Sequence, residues 1–269
     1  MRSPSTVVRT LANAVPATLG REWAASWTRW FGPERVPLPR APEKEHLALV
    51  DTPIGLVVAK RELPAGWKRS LAALRARRLR SLSAFRSAEA LLARELATPE
   101  PLAVLETRGP GSCEALLVTR YVEGFGPWDH LHGGGEPDRL VESLASALAR
   151  LHASGFRHRD LKASNLLLRE DHAGLALLWT DLDGLRHLGS VPAVLRARDL
   201  ARLSMSFESA EARAAGVRAD LWPTLVRIYL QETLGRAPSP EEHGLYLART
   251  RRWAERAIRR NLARGRPVL

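Results

Sequence analysis

Cysteine is all but missing from this chain: its 269 residues include one, Cys113. A lone thiol excludes an intramolecular disulfide and a zinc site built on cysteines, and it fits a reducing compartment. Long apolar runs are missing too. The stretch Val7 to Leu19 is broken by Arg9, Asn13 and Pro16, so it does not read as a secretory leader. No segment reaches the roughly 20 apolar residues that a bilayer-spanning helix needs. A cytoplasmic protein is expected, or one held to a membrane from its cytoplasmic face. Lysine is scarce as well. Only Lys44, Lys60, Lys68 and Lys162 stand among 41 basic residues, the other 37 being arginine.

What is present is ordinary in bulk and less ordinary in charge. The 45% apolar and 26% charged residues are those of a folded globular protein, and the length suits one domain of two lobes or two small domains. The formal net charge of +12 favours polyanions as partners, whether nucleic acid, anionic lipid or phosphorylated glycan, without choosing among them. An arginine-rich composition also produces such a surplus with no polymer to bind.

Residues 1–45 form a lead segment in which Trp23, Trp27 and Trp30 fall at i, i+4, i+7, on one helical face. That stripe reads either as a face docked on the protein body or as an interfacial membrane helix. Two strands are expected at His46–Val50 and Gly55–Lys60 around the turn Asp51–Ile54. A helix is expected over 68–97, opening with Lys68, Arg69, Arg75, Arg77, Arg78, Arg80 and Arg86 and stopped by Thr98-Pro-Glu-Pro101. Strands are expected at Leu102–Thr107 and Glu114–Val122, then a hinge at Glu123–Pro127. Beyond it, Asp138 is placed to cap a helix lined by Leu140, Leu144, Leu148 and Leu151 and ended by Gly155. Short apolar runs at Leu166–Leu168 and Leu175–Trp179 precede a mainly helical remainder, including 222–234 and 240–263.

The informative stretch is Phe156-Arg-His-Arg-Asp-Leu-Lys-Ala-Ser-Asn-Leu-Leu-Leu168. It places His, Arg, Asp, Lys and Asn within eight positions, ahead of an apolar run. A second apolar run ends in Thr180-Asp-Leu-Asp-Gly184. An amide and a carboxylate bracketing a hairpin can hold Mg²⁺, which needs few protein ligands. A carboxylate in the same loop can orient a hydroxyl, and a neighbouring ammonium can neutralise a transferring phosphoryl group.

His158-Arg-Asp-Leu-Lys-Ala-Ser-Asn165 resembles the catalytic loop of the protein-kinase superfamily, H-R-D-L-x-x-x-N. Asp181-Leu-Asp resembles its metal-binding motif, with Asp183 in place of glycine, and Val57-Val-Ala-Lys60 resembles its V-A-I-K strand. Ser87-Ala-Glu, Thr98-Pro-Glu-Pro-Leu-Ala, Leu151-His-Ala-Ser-Gly-Phe and Arg198-Asp-Leu-Ala-Arg-Leu are similar to the lipopolysaccharide core kinases, the kinases of 3-deoxy-D-manno-octulosonic acid (Kdo) and heptose. The resemblance spans roughly residues 46–235. It implies an α+β, bilobal protein-kinase-like fold: an extension at 1–45, a strand-rich lobe at 46–125 and a helical lobe at 126–269.

It also implies roles. Asp160 orients the acceptor hydroxyl, and Lys162 sits near the γ-phosphate. Asn165 and Asp181 hold Mg²⁺. Lys60 contacts the α- and β-phosphates of ATP, positioned by Glu89, with Glu95 as a second candidate. His158 and Asp199 brace the loop. Two of the four lysines fall on these motif positions, where a compact ammonium suits phosphate better than a planar fork.

The pattern departs from protein kinases in two places. There is no G-x-G-x-x-G, the turn before Lys60 offering only Gly55, and there is no A-P-E in the 18 residues from Asp181 to Asp199. The short segment favours a compact acceptor over a polypeptide, and Arg186, Arg196, Arg198 and Arg202 around it suit an acidic or phosphorylated sugar. The leading expectation is therefore an ATP- and Mg²⁺-dependent kinase of a lipid-linked glycan, the lipopolysaccharide core, working on the cytoplasmic side of the inner membrane with peripheral contact to anionic lipid. Two other readings stand beside it: a kinase of a protein or small metabolite, and a non-catalytic pseudokinase that binds partners. A nucleic-acid-binding role resting on Arg251–Arg260 ranks last.

Overall fold

The computed structural model describes residues 7–62, 79–109, 112–172 and 174–265. These divide into two compact units. One holds the residues up to Ala93 together with Thr98–Val122; the other holds Arg94–Ala97 and the chain from Glu123 onward.

The first unit is built on one antiparallel sheet. Strands β1 (Val7–Asn13), β2 (Leu47–Val50), β3 (Val57–Glu62), β4 (Pro101–Gly109) and β5 (Ser112–Arg120) lie in the order β1-β4-β5-β3-β2. The lead segment thus supplies a fifth strand, whose pairing with β4 shifts register between Thr10 and Ala12. Polar interruptions hid it in the sequence, because an edge strand tolerates them. Helix α1 (Ala17–Ser26) follows Pro16, and a 3₁₀ turn over Trp27–Phe31 continues it.

The tryptophan stripe is spent inside this unit. Trp23 and Trp27 are each 2% exposed and pack with Leu19, Val57, Ala59, Leu105 and Leu116; Trp30 meets Trp23 edge-on at 6.0 Å. The membrane-helix reading of Trp23 and Trp27 is corrected: the sheet's core already covers both indoles, so neither is presented to lipid.

Alternation along β3 sorts its side chains. Val57 and Ala59 enter the tryptophan core, so Lys60 and Glu62 share the opposite face. Glu62 ends on the start of α2 (Arg80–Leu92), its carboxylate accepting from the Arg80 and Ser81 amides (3.2 and 2.9 Å) and from the Ser81 hydroxyl (2.8 Å). A carboxylate there satisfies orphan amides and suits the positive end of the helix dipole. Of the helix expected over 68–97, the part at 68–78, with Lys68, Arg69, Arg75, Arg77 and Arg78, lies outside the described residues. The described part ends at Leu92, before the proline pair, and Glu95 follows in a left-handed conformation (φ 57°).

The second unit is mainly helical: α3 (Pro127–His132), α4 (Pro137–Ala153), α5 (Ala193–Phe207), α6 (Ala210–Ala214), α7 (Leu221–Leu234) and α8 (Pro240–Leu262). Helix α4 buries Leu140, Leu144, Leu148 and Leu151 completely, as their spacing predicts. Its flanking residue is Glu136 rather than Asp138, because Pro137 takes the first helical position, where a missing amide costs nothing. Two short ribbons complete the unit. One pairs β6 (Phe156–His158) with β9 (Leu185–His187); the other pairs β7 (Leu166–Asp171) with β8 (Gly174–Trp179). Gly155 turns the chain from α4 into β6 at φ +79°, and a side chain there would lie 2.5 Å from the Gly189 carbonyl oxygen.

Candidate active site

Residues 157–165 leave β6, cross a loop and enter β7 through a 3₁₀ turn at Ala163–Asn165. Backbone contacts hold this loop against the segment after β8. The Arg159 amide donates to the Gly184 carbonyl (3.0 Å), and the Thr180 amide donates to the Asn165 carbonyl (3.0 Å). The second bond continues the β7–β8 ribbon by one rung and sets Asn165 opposite Thr180, next to Asp181. A Cβ on Gly184 would come 3.1 Å from the Asp160 amide nitrogen, so the two loops approach more closely than a larger residue permits.

Asp160, Lys162, Asn165 and Asp181 are brought together here. The Asn165 amide group donates to the Asp160 carbonyl oxygen (2.8 Å) and reaches its carboxylate Oδ2 at 3.4 Å. Lys162 Nζ lies 3.5 Å from the same Oδ2, and Arg202 Nη1 lies 4.0 Å from Oδ1. The Asp160 side chain is 53% exposed, so its carboxylate is open to a ligand. The Asn165 nitrogen makes these bonds, which leaves its Oδ1 as an oxygen donor. Asp181 carries the second oxygen donor from a left-handed backbone (φ 53°, ψ 56°), an uncommon conformation for a residue other than glycine.

That donor chemistry fits Mg²⁺, which takes one or two protein oxygens and fills its shell with water and phosphate. Among the described residues no group of three or more His, Cys, Asp or Glu forms a cage that would hold a metal alone.

Behind the loop, α5 acts as its cradle. Asp199, Arg202 and Ser206 fall at i, i+3, i+7 on one face. Asp199 is fully buried and accepts from Arg157 Nη2, with His152 Nε2 3.7 Å away. Ser206 Oγ accepts from the Ala163 amide (3.1 Å). His152 Nδ1 lies 2.8 Å from the Tyr229 hydroxyl on α7. Burial pushes the pKa of His152 below its ordinary value, outweighing the pull of Asp199. His158 is fully buried beside Trp179, and burial lowers its pKa too, against the Thr180 backbone and the Asp181, Asp160 and Asp199 carboxylates. Sequence reading missed Arg157, Gly184 and Ser206. The signal that would have found Ser206 is the helical spacing from Asp199.

The other two predicted residues belong to the first unit. Lys60 sits mid-strand in β3, paired with Leu47 on one side and Leu117 on the other. Glu89 stands on the exposed side of α2, between the buried Ala88 and the half-buried Ala90. Both elements meet where Glu62 receives the helix.

A strand-rich unit, a helical unit and this loop pair define a bilobal protein-kinase-like fold. A solved structure described as WaaP in complex with acyl carrier protein superposes with a TM-score of 0.55 at 20% identity, covering 92% of this chain and 98% of that one. The match to the lipopolysaccharide kinase (Kdo/WaaP) family covers residues 65–229, and the chain belongs to that family. A 3-deoxy-D-manno-octulosonic acid kinase of Xylella fastidiosa (strain 9a5c) is 34% identical over 131 residues, 48% of this chain and 50% of that protein. The serine/threonine-protein kinase PkaA of Streptomyces coelicolor is 33% identical over 101 residues, 37% of this chain and 18% of its own length. The chain spans about half the length of the curated 3-deoxy-D-manno-octulosonic acid kinases it matches. Among the described residues no helix is long and apolar enough to cross a membrane.

Proposed function

We propose that this protein is a kinase that transfers the γ-phosphate of ATP to a hydroxyl of a sugar in the lipopolysaccharide core, Kdo or heptose, at the cytoplasmic face of the inner membrane. The observation that carries the reading is the convergence of Asp160, Lys162 and Asn165 in one loop with Asp181 beside them. Family membership supports a lipopolysaccharide acceptor.

In this reading Asp160 accepts a hydrogen bond from the acceptor hydroxyl and aligns its oxygen for in-line attack. The Asn165 amide keeps the Asp160 backbone in place, and its Oδ1 with the Asp181 carboxylate would hold Mg²⁺. When bound, Mg²⁺ would supply charge neutralisation at the phosphates. Lys162 brings an ammonium to the transferring phosphoryl group. Lys60 holds the α- and β-phosphates, with Glu89 fixing its ammonium. The domain reading follows the same logic: residues 46–125 work as the nucleotide-covering lobe, 126–269 as the catalytic lobe, and 1–45 as an extension that completes the first lobe's sheet.

The test is Asp160→Ala with ATP, Mg²⁺ and purified lipopolysaccharide core acceptors. Turnover should fall by roughly 10²- to 10⁴-fold, with little change in thermal midpoint because the side chain is half exposed. Equal phosphorylation by variant and wild type would remove the reading.

A further inference from the structure

Four arginines lie in or just after the segment that follows Asp181, and the structure separates one from the rest. Arg186 donates to the Leu185 carbonyl (2.6 Å) and the Asp183 carbonyl (3.3 Å). Arg196 donates to the Val191 carbonyl (2.7 Å). Arg198 lies over the Trp253 ring, 4.7 Å from its centre. Arg202 differs. Among the described residues its guanidinium makes no hydrogen bond, and its one ion pair there, to Asp160, is 4.0 Å long. Five N–H donors therefore stand beside the carboxylate that receives the acceptor hydroxyl, on a side chain 41% exposed.

The neighbours of Arg202 explain why it stays put. Asp199 and Ser206, on the same face of α5, are buried and bonded to the catalytic loop. They fix the helix, and with it the Arg202 backbone, against the loop. Burial depresses the guanidinium's pKa, and the Asp160 and Asp199 carboxylates only partly offset this. A partly desolvated cation with unused donors is stabilised by an incoming anion. Asp160 thus has a different cation near each oxygen: an ammonium at Oδ2, suited to a point charge, and a planar fork at Oδ1, suited to two oxygens at once.

We propose that Arg202 binds an anionic group, a carboxylate or a phosphate, carried by the acceptor about a sugar ring's width from the reacting hydroxyl. It thereby sets which acceptors are used and which hydroxyl reaches Asp160. This rests on the sugar-kinase reading above. Arg202 is a specificity-determining residue in this account, because it contacts the acceptor and not the transferring phosphoryl group.

The test uses two matched pairs of acceptors: a Kdo glycoside and the same glycoside with its carboxylate converted to an amide, and a heptose phosphate glycoside and its unphosphorylated form. Wild type should prefer the charged member of at least one pair by roughly ten-fold in kcat/KM, the scale of one charge-assisted contact. Arg202→Gln should erase that preference through KM, leaving kcat and the KM for ATP within about two-fold, and Arg202→Lys should keep part of it. The pair that responds identifies carboxylate or phosphate. Acceptor Kd without nucleotide should move with KM, and the thermal midpoint reports folding. Equal slowing of charged and neutral acceptors by Arg202→Gln would show a structural role and overturn the proposal. So would equal wild-type affinity for both members of each pair, a result that needs no variant. If wild type phosphorylates none of the four, the sugar-kinase reading falls, and this inference with it.

Discussion

The two units hold their candidate residues by different means. In the second unit, a polar lattice fixes the loop: Asn165 to Asp160, Arg159 to Gly184, Thr180 to Asn165, Arg157 to Asp199 and Ala163 to Ser206. In the first, Lys60 is set by sheet register and by the apolar face of Val57 and Ala59 behind it. Hydrogen bonds fix angles as well as distances, so a polar lattice suits groups aimed at a transferring phosphoryl group. Register fixes only which face a side chain occupies, which suffices for a long, flexible lysine.

The comparison predicts unequal consequences of damage. Asp199→Asn leaves Arg157 buried beside a neutral amide. It should cost about 3–5 kcal/mol, the scale of a broken buried ion pair, and should raise amide exchange throughout 157–165. Trp23→Ala should cost a similar or slightly smaller amount, about 3–5 kcal/mol, by opening a cavity in the tryptophan core, while leaving exchange in 157–165 unchanged. Urea unfolding with hydrogen exchange distinguishes the two. Equal loop exchange in both variants would break the contrast.

A smaller effect concerns pH and belongs to the second unit. His152 and His158 are buried with pKa values below their ordinary value, so the unfolded chain binds protons more readily near neutrality. The stability this confers is fully present above about pH 6.5, the ordinary histidine value. It is lost as pH falls from there through the depressed folded values. The thermal midpoint should drop on acidification from pH 7.5 to 5.5, with a shallower slope in His152→Gln. An unchanged slope would place the proton uptake elsewhere.

Most of the second unit's site is legible in the sequence, because its residues are close along the chain. His158 to Asn165 is a single ordered string, and one hairpin brings Asp181 to it. What is not legible comes from distance. The cradle on α5 lies some 40 residues beyond the loop it supports, and no local pattern says that a buried aspartate at 199 faces an arginine at 157. Gly184 reads as a turn residue until the approach of Asp160 gives it a steric reason. In the first unit, the Trp23, Trp27 and Trp30 spacing announces a face but not what covers it, since an indole suits a protein core and a lipid headgroup region alike. Strand β1 escaped notice because its polar residues suit an edge.

The central proposal is that Asn165 and Asp181, set side by side by the β7–β8 ribbon, serve one magnesium–nucleotide complex. The most direct measurement is the rise in thermal midpoint on adding Mg·ATP to wild type, Asn165→Ala, Asp181→Asn and the double variant. At ten times Kd, wild type should rise by about 3 °C; each single variant should lose most of that rise, and the double variant should lose little more than either. A wild-type rise that survives in full in Asp181→Asn, or no rise at millimolar Mg·ATP, would contradict the account.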